Sequence, residues 1–536
     1  MSKQLAIIWT LFFCSIYTVS FTQEVEYFGG AAGKKLDWTF FYLNAHYVDS
    51  TDADRLAELA IIRMLQELDP FSRYQSKKQL DEQRKADEGI KNDGIGIRYY
   101  VVNDTATITY IDPTGPSGTA GLRKGDKILS INNINTVGQN FQAIDTLIIA
   151  DRGTELAFQI RRKNPLTIKS ISVTSVSLFA ASVDAAYVLT DNIGYLKLNR
   201  FTMKTVGECQ EALKDMVAKG VENLIIDLRG NRGGVVKGAT NLADEFLPEG
   251  KTIMTSKGKG LPESAITSTA GGLFEKGKVV ILTDAVTASA SEIFTGAMQE
   301  WDRALVMGSM TYGKGLIQQS YMLEDGAAVR LTIGRYYTPT GRILQRPFQF
   351  DSAKDWIYQN IANSVHHSGF TNRLPHPQSV KWQTKSGRKI LRGQGGIVPD
   401  IYLPTVAKST PQLTQLNNTG IVYRFVGYHV DAYRNYYLNK FKTGNDFRKD
   451  TTIDKDLTAN FKAFLAANLS DKALVQSVFS EGVSPHVLTQ IRAWMGPQLW
   501  TPASYFMVYN EEDETIQRAI DAIRSDVFKA VGITCE

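Results

Sequence analysis

Between residues 185 and 345 short apolar runs alternate with amphipathic stretches, a rhythm that few folds accept. "NIGYLKLN" reads as a strand and "TVGECQEALKDMVAKG" as a helix. "ENLIIDLRG" is a buried strand, "VVKGATNLADEFLP" a helix, "KVVILTD" a strand, "SEIFTGAMQEW" a helix and "RALVMG" a strand. A parallel strand pair needs a crossover, and a helix supplies it, so this order predicts an α/β unit with partly parallel strands. Residues 316–345 turn β-rich, with "EDG" as a hairpin turn.

The flanks follow other periods. Residues 36–88 read as helical: Leu56, Leu59, Ile62 and Leu65 recur every third position, Asp69-Pro70 ends the run, and "KKQLDEQRKADEG" reads as a solvated helix or linker. From about 90 to 180 short strands such as "TATITYI", "GDKILSIN" and "ELAFQIRR" are punctuated by Pro113, Gly115, Pro116, Gly118 and Gly121, which predicts a small β-rich domain. The last stretch is helical and aromatic. Ile516, Ile520, Ile523 and Val527 form its stripe, with Asn510 and acids ahead of them at a helix N-terminus. No chemistry is legible there, and an appended packing domain is expected. A chain of 536 residues exceeds one core. The expected divisions are 1–22, 23–88, 89–180, 181–407 and 408–536.

Lys3 followed by the uncharged run Leu5 to Val19, with Ser20, Thr22 and Gln23 after it, reads as a secretory leader, too short for a membrane span. Export to the periplasm or another extracytoplasmic space is expected. "LFFC" lacks the small residues that precede a lipidated cysteine, which argues against a lipid on Cys14. The mature chain keeps Cys209 and Cys535, too few and too distant for a disulfide framework. None of the six histidines has metal-ligand spacing, His366-His367 included, so no metal is expected. Net charge is +5 with no long basic run, which excludes nucleic acid as the expected partner.

"GSMTYGKG" (308–315) comes close to a phosphate-binding loop, but Gly315 stands where a magnesium-binding hydroxyl is needed and the following residues read as strand, not helix. Lys314 therefore has another role. Upstream, "TASASE" places Ser289 where a strand turns into a helix. Ser289-Ala-Ser-Glu292 matches a capping box, a purely local role. The same geometry suits a nucleophile: a helix start carries unpaired amides and partial positive charge, and the Ala290 amide beside Ser289 can receive an oxyanion. A neutral lysine can be the base. Ser386-Gly-Arg-Lys389 and Lys442-Thr-Gly444 spell two penicillin-binding motifs, but in the wrong context, and read as chance.

"TASASEIFTGAMQ", "YGKGLIQQ" and "IIDLRGNRGG" closely resemble the serine-core motifs of C-terminal processing peptidases, or tail-specific proteases. "GIGIRYY" and "IDPTGPSGTAGLRKGDKILSINN" resemble their PDZ domain, and "LDPFSRY" and "QGGIVPDIYLP" also match family patterns. The resemblance covers about residues 36–405. It implies a multidomain α/β architecture: an N-terminal helical segment, a PDZ-like β-rich domain at 89–180, an α/β serine-protease core at 181–407 and, outside the match, a C-terminal helical extension. It implies endoproteolysis of protein substrates near their C-termini without a cofactor. Ser289 would be the nucleophile, Lys314 the base and Gln318 the residue holding the amine. The oxyanion amides would be Ala290 and Gly233, with Gly234 the close competitor. "DLRGNRGG" departs slightly, with Gly230 and Arg232 where more Asn or Pro is expected. In Gly94, Ile95, Gly96 and Ile97 backbone amides would receive a substrate's terminal carboxylate, the peptide adding as a strand. The alternative is a secreted PDZ scaffold with an inactive protease core.

Overall fold

The computed structural model describes residues 30–102, 104–163, 166–347, 382–387, 390–391, 395–403, 411–479 and 484–533. The leader, His366, His367, His376 and Cys535 lie outside the described residues. Two compact units are present, one ending at Met64 and one running from Leu65 to Glu536. The first holds the helix Ala31–His46, which stacks Trp38 on Tyr42 and buries no residue, and most of the helix Ala53–Gln66. Of the expected stripe Leu65 is buried, whereas Leu59 is 52% exposed.

The centre of the second unit is a six-stranded sheet in the order Val183–Thr190, Ile193–Leu198, Asn223–Asp227, Val279–Thr283, Leu305–Gly308, Ile401–Tyr402. The first pair is antiparallel and every later pair parallel, as the strand–helix rhythm requires. Strand side chains alternate between faces. Leu224, Ile226, Val279 and Ile281 join a core with the helices Thr205–Ala218, Val236–Asp244 and Ala290–Glu300. Tyr195, Ile225, Val280 and Leu282 face the other way, onto Ile516, Ile520, Ile523 and Phe528. The C-terminal helix Glu514–Arg524 thus covers the second face of the central sheet.

A second sheet lies alongside in sequence and space. Its long strand Ala328–Tyr337 pairs with Leu316–Met322 through the expected hairpin, whose Gly326 has φ +83°, and also with Arg73–Gln75 and Thr252–Lys257. Residues 36–88 are therefore not helical throughout: Arg73–Gln75 is a strand. Three residues are too few for a sequence period to show; their structure comes from the long strand beside them. The charged stretch after it is the helix Lys77–Asp87, capped by Ser76.

The PDZ-like domain is a sheet ordered Ile97–Val102, Thr105–Ile111, Lys127–Ile131, Glu155–Lys163, Leu166–Thr174, with the helix Phe141–Ile148 packed by Ile144 into its core. Ile97–Val102 ends the ladder. Its outer edge has no strand partner among the described residues. The C-terminal helices touch this domain too. Lys124 Nζ donates to Pro497 O at 2.6 Å, and Lys127 pairs with Asp431 at 3.1 Å, both partly buried. Among the described residues no helix is long and apolar enough to cross a membrane.

Ile516 is fully buried against the sheet. Ile516→Ala is expected to destabilise the core by about 2–5 kcal/mol, read as a lowered unfolding midpoint in urea. An unchanged midpoint would mean that the helix is not part of the cooperative core.

Candidate active site

Strand Val279–Thr283 leads through a tight turn into the helix Ala290–Glu300. Ser289 sits at the junction with φ 58° and ψ −118°. Six described non-glycine residues have positive φ, and the other five are Asn or Asp, which tolerate that region. Such a conformation costs about 1–3 kcal/mol and persists only when its surroundings fix it. Here they do. Asp284 Oδ1 accepts the amides of Val286 and Thr287, both at 2.9 Å, and Thr287 Oγ1 donates to Leu228 O at 2.9 Å. Asn231 O accepts the Ala288 amide at 3.0 Å and the Ser291 hydroxyl at 3.2 Å. Ser291 is fully buried in that bond, whereas Ser289 is partly exposed.

Glu292 joins this turn to the lysine loop. Its carboxylate is fully buried. Oε1 accepts from Thr311 Oγ1 at 2.6 Å and from the Gly313 amide at 2.7 Å. Oε2 accepts from the Ser289 amide at 2.8 Å and the Lys314 amide at 2.9 Å. One oxygen therefore binds the backbone of both residues and holds their nitrogens no more than 5.7 Å apart, the sum of those two bonds. Burial raises the Glu292 pKa, and the four donors pull it back. From sequence Glu292 had only the capping role; its reach to residues 311–314 needed the fold.

The glycines around Lys314 have a steric cause. A Cβ at Gly313 would lie 2.8 Å from the Gly395 backbone, and one at Gly315 would lie 2.7 Å from Gln345 N. The chain after Lys314 is the strand Leu316–Met322, so no helix N-terminus is there to cradle phosphate. Burial lowers the Lys314 pKa to about 8, helped by Arg330 and Arg73 and opposed by Glu292 and Asp69. Arg73 and Arg330 stand opposite each other in the ladder.

Ser289 and Lys314 are brought into one site, but their side chains are not hydrogen-bonded to each other. Gln318 does not hold the Lys314 amine either; its Nε2 donates to Phe71 O at 2.8 Å, while Lys314 Nζ lies 4.8 Å from the centre of the Phe71 ring. Catalytic hydrogen bonds often tighten only when substrate binds. The Ala290 amide has no acceptor among the described residues. A Cβ on Gly233 would lie 2.9 Å from Ser289 Cβ and 2.8 Å from Ala290 N, so only glycine fits that approach. The Gly233 amide donates to Asn231 Oδ1 at 2.9 Å, and that of Gly234 is unengaged among the described residues. The loop is anchored by buried Asp227, which takes Tyr195, Lys197 and Arg229; burial pushes its pKa up, but the two cations, Arg229 and Lys197, hold it far below the usual carboxylate range. Arg229 also pairs with Asp513, the N-cap of the C-terminal helix, at 3.0 Å.

In the PDZ-like domain Gly94–Ile97 forms a bend with Gly96 at φ +75° and Ile95 buried. Asp112 N donates to Gly96 O at 2.7 Å and Ser117 Oγ to Ile95 O at 2.6 Å. The bend leads into the open-edged strand. Of the two chance motifs, Ser386 is bonded to Asp302, and Thr443 caps the helix Gly444–Lys449.

The model of peptidase family S41 matches residues 192–351, and that of the PDZ domain matches residues 107–162. A probable CtpA-like serine protease of Staphylococcus epidermidis is 30% identical over 346 residues, 63% of this chain and 69% of the relative. The chain belongs to peptidase family S41. A probable CtpA-like serine protease of Staphylococcus haemolyticus is 31% identical over 312 residues, 58% of this chain and 62% of the relative. Among solved structures, the photosystem II D1 C-terminal processing protease is 22% identical with a TM-score of 0.37, over 70% of this chain and 88% of that one. The protein is thus a serine protease of the CtpA-like kind with a PDZ domain.

In this S41 peptidase, Glu292→Gln puts an NH₂ group against N–H or O–H donors and leaves two of four bonds unmade. The loss expected is about 3 kcal/mol of folding stability, with kcat lowered because the Ser289 and Lys314 loops are no longer held to one point. Full activity in a steady-state peptide assay would show that the carboxylate does not organise the site.

Proposed function

We propose that this peptidase is an exported serine endopeptidase that cuts protein substrates near their C-termini, with Ser289 as nucleophile and Lys314 as base. The observation that carries this reading is the shared Glu292 oxygen, which tethers a strained, accessible serine and a lysine of lowered pKa to one point. Neutral Lys314 takes the Ser289 proton as Oγ attacks the scissile carbonyl. The Ala290 amide, with that of Gly233 or its neighbour Gly234, receives the negative oxygen. Lys314 returns the proton to the departing amine. Water, deprotonated by Lys314, then attacks the acyl carbonyl, and Lys314 hands that proton to the departing Ser289 Oγ as the acyl group leaves. Gln318, whose Nε2 is bonded to Phe71 O in the free enzyme, would steady the amine with its other end, Oε1, once substrate aligns the site. No cofactor takes part.

The substrate's tail is bound by the PDZ domain. Its terminal carboxylate is received by the amides of Gly94, Ile95, Gly96 and Ile97, and its backbone extends along the edge of Ile97–Val102 that lacks a strand partner among the described residues. The leader at residues 1–22 sends the protein to the periplasm or an equivalent extracytoplasmic space.

Ser289→Ala and Lys314→Ala are each expected to abolish cleavage of a tagged protein. Turnover retained in either removes that residue from the mechanism, and no turnover in the wild type favours a PDZ scaffold with a silent core. Below its pKa the amine is charged and cannot accept a proton; above it the amine is free. With the pKa lowered to about 8, kcat/KM rises with pH and levels off above that value. A profile flat from pH 6 to 9 contradicts the assignment. Amidating a peptide's C-terminus is expected to weaken binding about tenfold or more; equal affinity by calorimetry rules out the carboxylate site.

A further inference from the structure

The motif "LDPFSRY" is far from the serine in sequence, yet it forms a wall of the lysine site. Asp69 builds the turn: its Oδ1 accepts the amides of Phe71 at 2.7 Å and Ser72 at 2.8 Å, and its Oδ2 accepts the Ser72 hydroxyl at 2.5 Å. Ser72 Oγ in turn accepts the Thr332 amide at 3.1 Å, and Arg73–Gln75 continues as a strand on Ala328–Tyr337. The turn is thereby fixed to the sheet that carries Gln318, which is paired with Thr332.

Phe71 projects two groups from this turn. Its ring lies 4.8 Å from Lys314 Nζ, within cation–π range. Its carbonyl accepts Gln318 Nε2 at 2.8 Å. A carbonyl can only accept, so the Gln318 end facing it is the NH₂ and the end left over is Oε1, an acceptor suited to an amine. From this juxtaposition we propose that Phe71 is a positioning residue for the lysine base: its ring holds the amine, and its carbonyl decides which end of Gln318 is presented to it. This rests on Lys314 being the base.

The ring favours the charged amine, as do Glu292 and Asp69; Arg330, Arg73 and burial oppose it. Removing the ring while keeping apolar bulk should therefore lower the lysine pKa. Phe71→Leu is expected to move the acid limb of kcat/KM down by about half a pH unit and to lower the plateau severalfold. Phe71→Tyr keeps the ring and is expected to restore the wild-type profile. A Leu variant whose limb does not move, whatever its activity, overturns the proposal, as does a Tyr variant shifted as far as Leu. Thermal unfolding of both variants separates loss of folded enzyme, which scales the rate without moving the limb. Cleavage surviving in Lys314→Ala is the distinguishable outcome that removes the base itself, and this proposal with it.

Discussion

Both oxygens of one buried carboxylate are occupied by the two loops that make the site. Glu292 takes amides from Ser289, Gly313 and Lys314 and the Thr311 hydroxyl. A buried carboxylate left without donors is costly, and one with four donors resists displacement. The strained Ser289 backbone and the glycine-flanked Lys314 loop are each poor structures by themselves. They persist because each completes the other's hydrogen bonding through this side chain.

Around that point the chain arranges three supports from distant parts of its sequence. The "DLRGNRGG" loop lays Gly233 against Ser289, and its Asp227–Arg229 pair continues to Asp513. The turn at Asp69 brings Phe71 to Lys314 and Gln318. The C-terminal helices cover the back of the central sheet and also hold the PDZ domain through Lys124 and Lys127. A stretch without visible chemistry thus supports both the family's peptidase sheet and its PDZ domain. Ser289 and Lys314 are close in backbone but not hydrogen-bonded, which fits a site that aligns when substrate arrives.

Much of this was legible in the residues. Buried parallel strands show as apolar runs, so Asn223–Asp227, Val279–Thr283 and Leu305–Gly308 fell within the stretches read as strands, and the helix after Ser289 was marked by its own periodicity. The near-match of "GSMTYGKG" to a phosphate loop hid what its glycines do, which is to let the Gly395 and Gln345 backbone approach. What stayed hidden depends on long-range pairing. Arg73–Gln75 is a strand only because a neighbour 255 residues on offers it a ladder, and the Gln318–Phe71 bond joins positions 247 apart. The stripe of Ile516, Ile520 and Ile523 was visible, but a stripe does not name the surface that it covers.

The pairing of Ser289 with an uncharged Lys314 is tested most directly by the rate of covalent labelling with a fluorophosphonate, followed against pH with the adduct mapped by mass spectrometry. The account predicts a single adduct on Ser289, forming faster as pH rises and reaching a plateau above about 8. An adduct on Ser291, or a labelling rate indifferent to pH across that range, would contradict it.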